Sequence, residues 1–342
     1  MFGPLTLRAQ TPAHTDNGAF LNYAYIKYAS QNALLTEVID NLAHDYETTY
    51  LFMNCGPLGS SGRLAGGSAQ VANVAGMLNT IKRWEDANPG RKFKVLAWFG
   101  ADMIPTDADF VDVSNFLIRE AIANECAKFT SATSQGSYVA GASRVFDGVL
   151  FNPEPIGGND AVATVRFNNL KTVMDRVRAR ITGAKVAGFC PPKYSTTSGK
   201  SVWWWSPTYY YYMALHCDLL VAMTYNSGQS TAAGYQTWMQ NQTRDILRAV
   251  SGKYWTSGHP APTNGVKVMI GFPAYPANGT VHNTSAENTR NAAIGTTAGL
   301  AATDELSRGY FQSAAVYLTT NGSGSDGYAS WDVDWNNLIL YW

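Results

Sequence analysis

The stretch Phe146-Asp147-Gly148-Val149-Leu150-Phe151-Asn152-Pro153-Glu154-Pro155 carries the side chains best suited to chemistry in this sequence. An apolar run ends there in Asn-Pro-Glu-Pro. If the run is a strand, alternation puts Asn152 and Glu154 on the same side. A carboxylic acid at such a strand end, walled by aromatic residues, has its proton held more tightly because burial disfavours the charged form. It can then serve as a general acid near neutral pH. The amide beside it both accepts and donates hydrogen bonds. The same residues are also what a turn-forming Asn-Pro and a helix-capping loop glutamate would look like, so the surrounding elements have to decide.

Short apolar runs alternate with longer amphipathic stretches. The runs cover 20–26, 50–55, 95–99, 146–152, 185–190, 219–225, 266–272 and 328–333. Several are almost continuously apolar, as strands buried on both faces should be. Helical periodicity covers 34–42, 69–84, 109–129, 162–181, 236–250 and 285–306. In 162–181, Leu170, Val173, Met174, Val177 and Ile181 share one face, and Arg and Lys lie mostly on the other. Strand and helix in alternation predict an α/β protein with a parallel sheet, and eight such strands predict a (β/α)8 TIM barrel, which places catalytic groups at strand C-termini. No shift in composition marks a domain boundary. Residues 1–342 are therefore expected to form one barrel with long loops. An open doubly wound sheet is the rival, but it carries a glycine-rich phosphate loop after its first strand. The first strand here ends Tyr25-Ile26-Lys27-Tyr28, and GPLGSSGRLAGG (56–67) after the second fits neither GxGxxG nor GxxxxGK[ST].

Composition removes other classes of function. Lys+Arg and Asp+Glu balance at 25 each, so there is no basic footprint for nucleic acid. No apolar stretch approaches ~20 residues, so no membrane insertion is expected. The opening MFGPLTLRAQ has no basic segment followed by an apolar one, and no signal peptide is read from it. Cys55, Cys126, Cys190 and Cys217 form no CxxC or CxxH pair, which argues against zinc. They read as buried free thiols, with one or two disulfides in an exported protein as the alternative. The five histidines have no metal-ligand spacing, and no GxSxG nucleophile motif is present.

FDGVLFNPEP resembles the DGxDxDxE signature that ends the fourth barrel strand of family 18 chitinases and related endo-N-acetylglucosaminidases. Asp147 and Gly148 match its opening and Glu154 matches its acid. Leu150 replaces the middle Asp, and Asn152 replaces the Asp that orients the substrate acetamido group. The Asn-x-Glu pattern is similar to that of family 85 endo-β-N-acetylglucosaminidases, where the Asn positions that group. Met223-Thr224-Tyr225-Asn226 resembles the sixth-strand MxYD/N motif, whose Tyr hydrogen-bonds the acetamido oxygen. Gly271-Phe272-Pro273-Ala274-Tyr275 resembles the seventh-strand GxPxY segment. Gly327 to Asp334 resembles the eighth-strand segment whose Trp, here Trp331, floors the central sugar subsite. The segment 95–100, with Trp98, is loosely similar to the third-strand region.

The resemblance implies a glycoside hydrolase acting on β-linked N-acetylhexosamine: a chitin-like polymer, peptidoglycan or an N-glycan. It implies retaining, substrate-assisted chemistry, an exception to the two-carboxylate rule, and no metal or cofactor. Glu154, Asn152 and Tyr225 would be catalytic. Asp147, Asn226, Trp98, Tyr275 and Trp331 would bind substrate. The aromatic stretch 202–212 adds Trp204 and Trp205, since aromatic faces suit the apolar C–H faces of sugars. Within it, Ser206-Pro207 is also a helix-start signal, so some of these rings are expected to be buried and others to face ligand. Trp238 and Trp255 are further candidates for the same cleft. An extracellular or surface location is expected. Two other readings stay open: a catalytically silent glycan-binding or structural surface protein, which Leu150 and Asn152 favour, and an enzyme on another sugar that pairs Glu154 with Asp102 or Asp332.

Overall fold

The computed structural model describes residues 16–21, 31–45, 47–131, 139–157, 161–196, 203–275 and 282–318. The strands are β1 (Asn17–Leu21), β2 (Thr48–Leu58), β3 (Lys94–Asp102), β4 (Gly148–Glu154), β5 (Val186–Phe189), β6 (Lys193–Tyr194), β7 (Trp204–Trp205), β8 (Leu219–Ala222), β9 (Lys267–Pro273) and β10 (Phe311–Leu318). The helices are α1 (Gln31–Asp45), α2 (Gly67–Ala87), α3 (Phe116–Thr130), α4 (Ala161–Arg180), α5 (Pro207–Ala214), α6 (Ala232–Val250), α7 (Thr289–Ala301) and α8 (Glu305–Arg308). Eight parallel strands close a barrel in the order β1-β10-β9-β8-β5-β4-β3-β2. The protein is a (β/α)8 barrel. Strands β6 and β7 form a separate two-stranded ribbon over the mouth side of β5.

The continuous apolar character of the strands follows from burial on both faces. Phe20, Phe52, Leu96, Leu150, Val221 and Met269 fill the interior. Val149, Phe151, Phe189 and Ile270 face outward into the layer shared with the helices. On α4, Phe167, Leu170, Val173, Met174 and Val177 are the buried stripe. Side chains cap several helix starts: Asn115 accepts from Leu117 N–H, Thr231 from Gly234 N–H and Asn288 from Asn291 N–H, each satisfying an otherwise unpaired donor. Helix α5 begins at Ser206-Pro207, with Pro at its first position. All four cysteines are free and buried. Among the described residues, no helix is long and apolar enough to cross a membrane.

The eighth barrel strand differs from expectation. It is Phe311–Leu318, paired with both β1 and β9; the run 328–333 lies outside the described residues. The segment FQSAAVYL carries a weak strand signal, because Gln312, Ser313 and two alanines dilute its β-branched and aromatic residues. Small inward residues suit a crowded barrel interior: Ala315 is fully buried, and the Ser313 hydroxyl donates to Asn17 Oδ1 across to β1.

The lower rim, where the strands begin, is a closed set of ion pairs. Asp147 stands just before β4, and its Oδ2 accepts the Val95 N–H of β3 at 2.9 Å. Asp218, just before β8, does the same for Ala187 N–H of β5 at 2.9 Å. Arg144 pairs with Asp147 at 2.9 Å and with Glu85 at 3.1 Å, and Arg178 pairs with Asp218 at 3.1 Å. Asp147 is thus at the opposite end of β4 from Glu154, tying two strands together. The substrate-binding role suggested for it is corrected on that geometry.

Candidate active site

The register of β3 and β4 sets the mouth. Asp102 pairs with Glu154, Gly100 with Asn152 and Trp98 with Leu150. Alternation along β4 sends Leu150, Asn152 and Glu154 inward, because Val149 and Phe151 point to the helices. Leu150 sits wholly buried inside the barrel, where a Cβ added at Gly188 of β5 would come within 2.8 Å of its Cδ1. Asn152 is 8% exposed, and Glu154 is partly exposed at the rim.

Burial pushes the Glu154 carboxyl above its ordinary range, while a hydrogen bond from Asn152 and the positive charge of Lys193 pull it part of the way back. The Asn152 side chain lies beside Glu154 and carries an amide oxygen, Oδ1. That oxygen is buried and has no hydrogen-bond partner among the described residues. Trp98 Nε1 is in the same condition, and Trp98 lines a cavity of about 240 Å³ with Asn54, Pro57 and Gly100. Orphaned buried polar atoms cost about 1–3 kcal/mol each, and these two lie at the barrel mouth.

Tyr225 follows β8. Its ring stacks on Tyr317 of β10 at 5.1 Å and meets Tyr275 edge-on at 5.9 Å. It occupies the space left by Gly271 on β9, where a Cβ would approach Tyr225 Cε1 to 3.3 Å and the Ala222 carbonyl oxygen to 2.5 Å. Burial, then the neighbouring Tyr317 and Glu154, keep the Tyr225 hydroxyl protonated. Asn226 adopts a left-handed backbone, φ 54°, a conformation Asn tolerates. Its Oδ1 accepts from Tyr275 O–H at 2.6 Å and its carbonyl accepts from Lys193 Nζ at 2.7 Å.

Several residues at this mouth were not anticipated. Lys193 on β6 holds its ammonium 5.0 Å from the Trp204 ring centroid. Glu287, 1% exposed, accepts from the Ser227 N–H at 3.0 Å, the Ser227 hydroxyl at 2.7 Å and the Gly228 N–H at 2.9 Å. Burial opposes ionisation of Glu287, but His282 and these Ser227 donors outweigh it and hold the carboxyl below its usual range. His282 also stacks on Tyr275, ring centroids 4.1 Å apart. Tyr317 lies on the weakly patterned β10. Lys193 had one usable signal, a position just past the fifth strand. Glu287, inside a helix-start segment, had none.

Of the residues singled out from sequence, Glu154, Asn152, Tyr225, Asn226, Tyr275 and Trp98 come together at the mouth. Trp204 joins them through Lys193. Trp205 does not: it is fully buried, stacks on Phe189 at 5.5 Å and donates its Nε1–H to Ile156 O. The alternation of β7 turns one tryptophan out and the next into the core. Tyr209, Tyr210 and Tyr211 are buried too, whereas Trp203 and Tyr212 are exposed. Trp238 packs on Trp204 and Tyr235. Trp255 lies in the segment leading from α6 to β9, at the lower end, packed on Tyr211 and His259, and leaves the candidate set. The Asp102 carboxylate turns to its own Ile104 N–H at 2.8 Å. Trp331 and Asp332 lie outside the described residues.

Comparison with solved structures finds this architecture again. The spore cortex-lytic enzyme SleL of Bacillus cereus is 12% identical, with 97% of this chain and 75% of that chain covered and a TM-score of 0.54. The group IV chitinase of Ostrinia furnacalis is 12% identical over 76% of this chain and 67% of its own, with a TM-score of 0.52. The fold is one that chitinases share. A chitinase of Rhizomucor miehei is 11% identical over 96% of this chain and 100% of its own, with a TM-score of 0.50. At these identities the likeness extends to the fold. No family model matches the sequence, and no curated protein matches it.

Proposed function

We propose that the barrel mouth is the active site of a retaining glycoside hydrolase acting on β-linked N-acetylhexosamine, in a chitin-like polymer, peptidoglycan or an N-glycan. The observation that carries this reading is the state of the Asn152–Glu154 pair: the amide lies beside an acid raised by burial, and the amide oxygen is buried and unpartnered among the described residues. An acetamido N–H is the group that such an acceptor fits. Held there, the acetamido carbonyl oxygen lies against the anomeric carbon. Glu154 donates its proton to the glycosidic oxygen as the C–O bond breaks, and the carbonyl oxygen forms the new bond to carbon. Tyr225 O–H donates to that oxygen as its charge changes, and Asn152 Oδ1 retains the N–H. The Glu154 carboxylate then takes a proton from the water that opens the oxazoline, restoring the acid and the original anomeric configuration.

Fold alone does not assign such an activity; the burial of Glu154 and the orphaned amide support it. Hydrolysis assays on chitin oligomers, peptidoglycan and N-glycans test it, together with binding of a thiazoline, the stable mimic of the oxazoline. We expect hydrolysis of at least one substrate and tighter binding of the thiazoline than of N-acetylglucosamine, since a site tuned to the transition state favours its analogues. A blank panel with equal binding of the two would instead support a silent glycan-binding barrel, which the apolar Leu150 at the signature's carboxylate position favours.

A further inference from the structure

The loop after β3 and the first turns of α4 enclose a cavity of about 340 Å³, walled by Met103, Pro105, Phe110, Val113, Val162 and Val165. Val162 is 65% exposed and Val165 57%. The buried stripe of α4 runs through Phe167, Leu170, Val173, Met174 and Val177, so these two valines stand on a second apolar face that the barrel does not use. Ile104 and, at the start of α3, Phe116 and Leu117 adjoin the lining segments in the chain, and they too are exposed. Of the eight exposed large hydrophobic side chains among the described residues, five therefore belong to this one region. Single exposed apolar residues are ordinary, but a group of them around a cleft marks an interaction surface. The cleft is preformed: Met103 N–H donates to the Glu154 carbonyl at 2.9 Å and Val111 N–H to the Asp102 carbonyl at 2.8 Å.

The charge around it is one-sided. The loop 102–112 carries Asp102, Asp107, Asp109 and Asp112, and none of the four forms an ion pair among the described residues. Asp102 Oδ1 accepts from Ile104 N–H at 2.8 Å and Asp112 Oδ1 from Ser114 N–H at 2.9 Å, which fixes both carboxylates without neutralising them. Two guanidiniums stand by the groove, each half-buried and turned to the main chain. Arg119 Nη1 donates to the Val113 and Ser114 carbonyls at 2.7 and 2.8 Å, and Arg166 Nη1 to the Pro155 carbonyl at 3.1 Å. Four carboxylates against two committed arginines leave the rim negative. A second copy docked face to face would bring two such rims together, and an anionic lipid surface would meet the same repulsion. A cationic partner is the one that this rim attracts.

We propose that the groove between the β3–α3 loop and α4 is a docking surface for a basic protein segment, one that seats apolar side chains over Val162 and Val165 and sets Lys or Arg beside Asp107 and Asp109. This role is independent of the reading of Glu154.

The experiment selects binders from a random dodecapeptide library displayed on phage, with the full chain as bait, and measures the affinity of the enriched peptides by fluorescence anisotropy. Enriched peptides should carry apolar residues next to Lys or Arg. Val165→Asp should weaken them at least tenfold. Asp107→Asn combined with Asp109→Asn should weaken them about tenfold and flatten the dependence on salt. These side chains are exposed, so Tm should not move; Val162→Ser stands in if Val165→Asp fails to fold. No enrichment, enrichment of acidic or uncharged peptides, or binding indifferent to the groove substitutions would each overturn the proposal. So would two other occupants: a concentration-dependent dimer in sedimentation that Val165→Asp abolishes, which would assign the groove to a second copy, or binding of phosphatidylcholine vesicles by the wild type and not by Val165→Asp, which would assign it to lipid.

Discussion

The two ends of β4 treat their carboxylates differently. At the lower rim each buried charge is met. Glu85 and Asp147 share Arg144, Glu85 also accepts the Phe93 N–H at 3.0 Å, and Asp147 accepts Val95 N–H. At the mouth Glu287 is equally well met, but Asn152 Oδ1 and Trp98 Nε1 have no partner among the described residues, and burial penalises the charge of Glu154. The two ends of β4 carry acidic residues seven positions apart, Asp147 and Glu154, in one signature-like stretch. One of them is paired and hydrogen-bonded, and the other sits where burial penalises its charge. The difference teaches that completeness of hydrogen bonding, more than residue type, separates a structural carboxylate from a working one.

The comparison can be broken most severely at the lower rim. Arg144→Met leaves the buried Glu85 without its cation, and chemical denaturation should show a loss of about 3–5 kcal/mol, as expected when one member of a buried pair is removed. A loss under 1 kcal/mol would mean that the rim is not the closed network described.

Next in size is Glu154→Gln at the mouth. Turnover on the active substrate should fall at least ~100-fold, about 2.7 kcal/mol of barrier. Stability should move the other way, with a defined pH dependence. The Glu154 carboxyl is raised on folding, so below its unfolded range it is protonated in both states and contributes nothing. As pH rises, the unfolded chain ionises first, and the folded protein is penalised increasingly until the raised value is passed. The variant should therefore match wild type in acid and exceed it in Tm at pH 8. Equal Tm values at both pH values would contradict the burial-driven rise.

Asn152→Ala sharpens the contrast. Turnover should drop at least ~10-fold because the acetamido group loses its acceptor, and Asn152→Asp should keep much of the activity. Stability should change by less than about 1 kcal/mol, since the lost bond to Glu154 is offset by removal of an orphaned oxygen. A large destabilisation of Asn152→Ala would show that the amide is a structural group after all.

The smallest effect is expected at Arg178→Met. Its pair with Asp218 is 32% and 30% exposed, and solvent screening leaves such pairs about 0.5–1 kcal/mol. A loss as large as that for Arg144→Met would remove the distinction between the two halves of the rim.

What the residues alone determined is what depends on period and local chemistry. Alternation in GVLFNPE put Asn152 and Glu154 on one face, and near-continuous apolar runs marked seven of the eight barrel strands, because burial on both faces leaves that mark in composition. The Ser206-Pro207 helix start and the free thiols were legible for the same reason. The packed barrel supplies register and the contacts between distant segments. It placed Asp147 at the far end from Glu154, sent Trp205 inward while Trp204 received Lys193, and closed the barrel with the weakly patterned Phe311–Leu318. It also brought Glu287 across 60 positions to Ser227. A strand's own pattern states which face a side chain takes. Which partner waits on that face is set by closure of the sheet, and no local spacing encodes it.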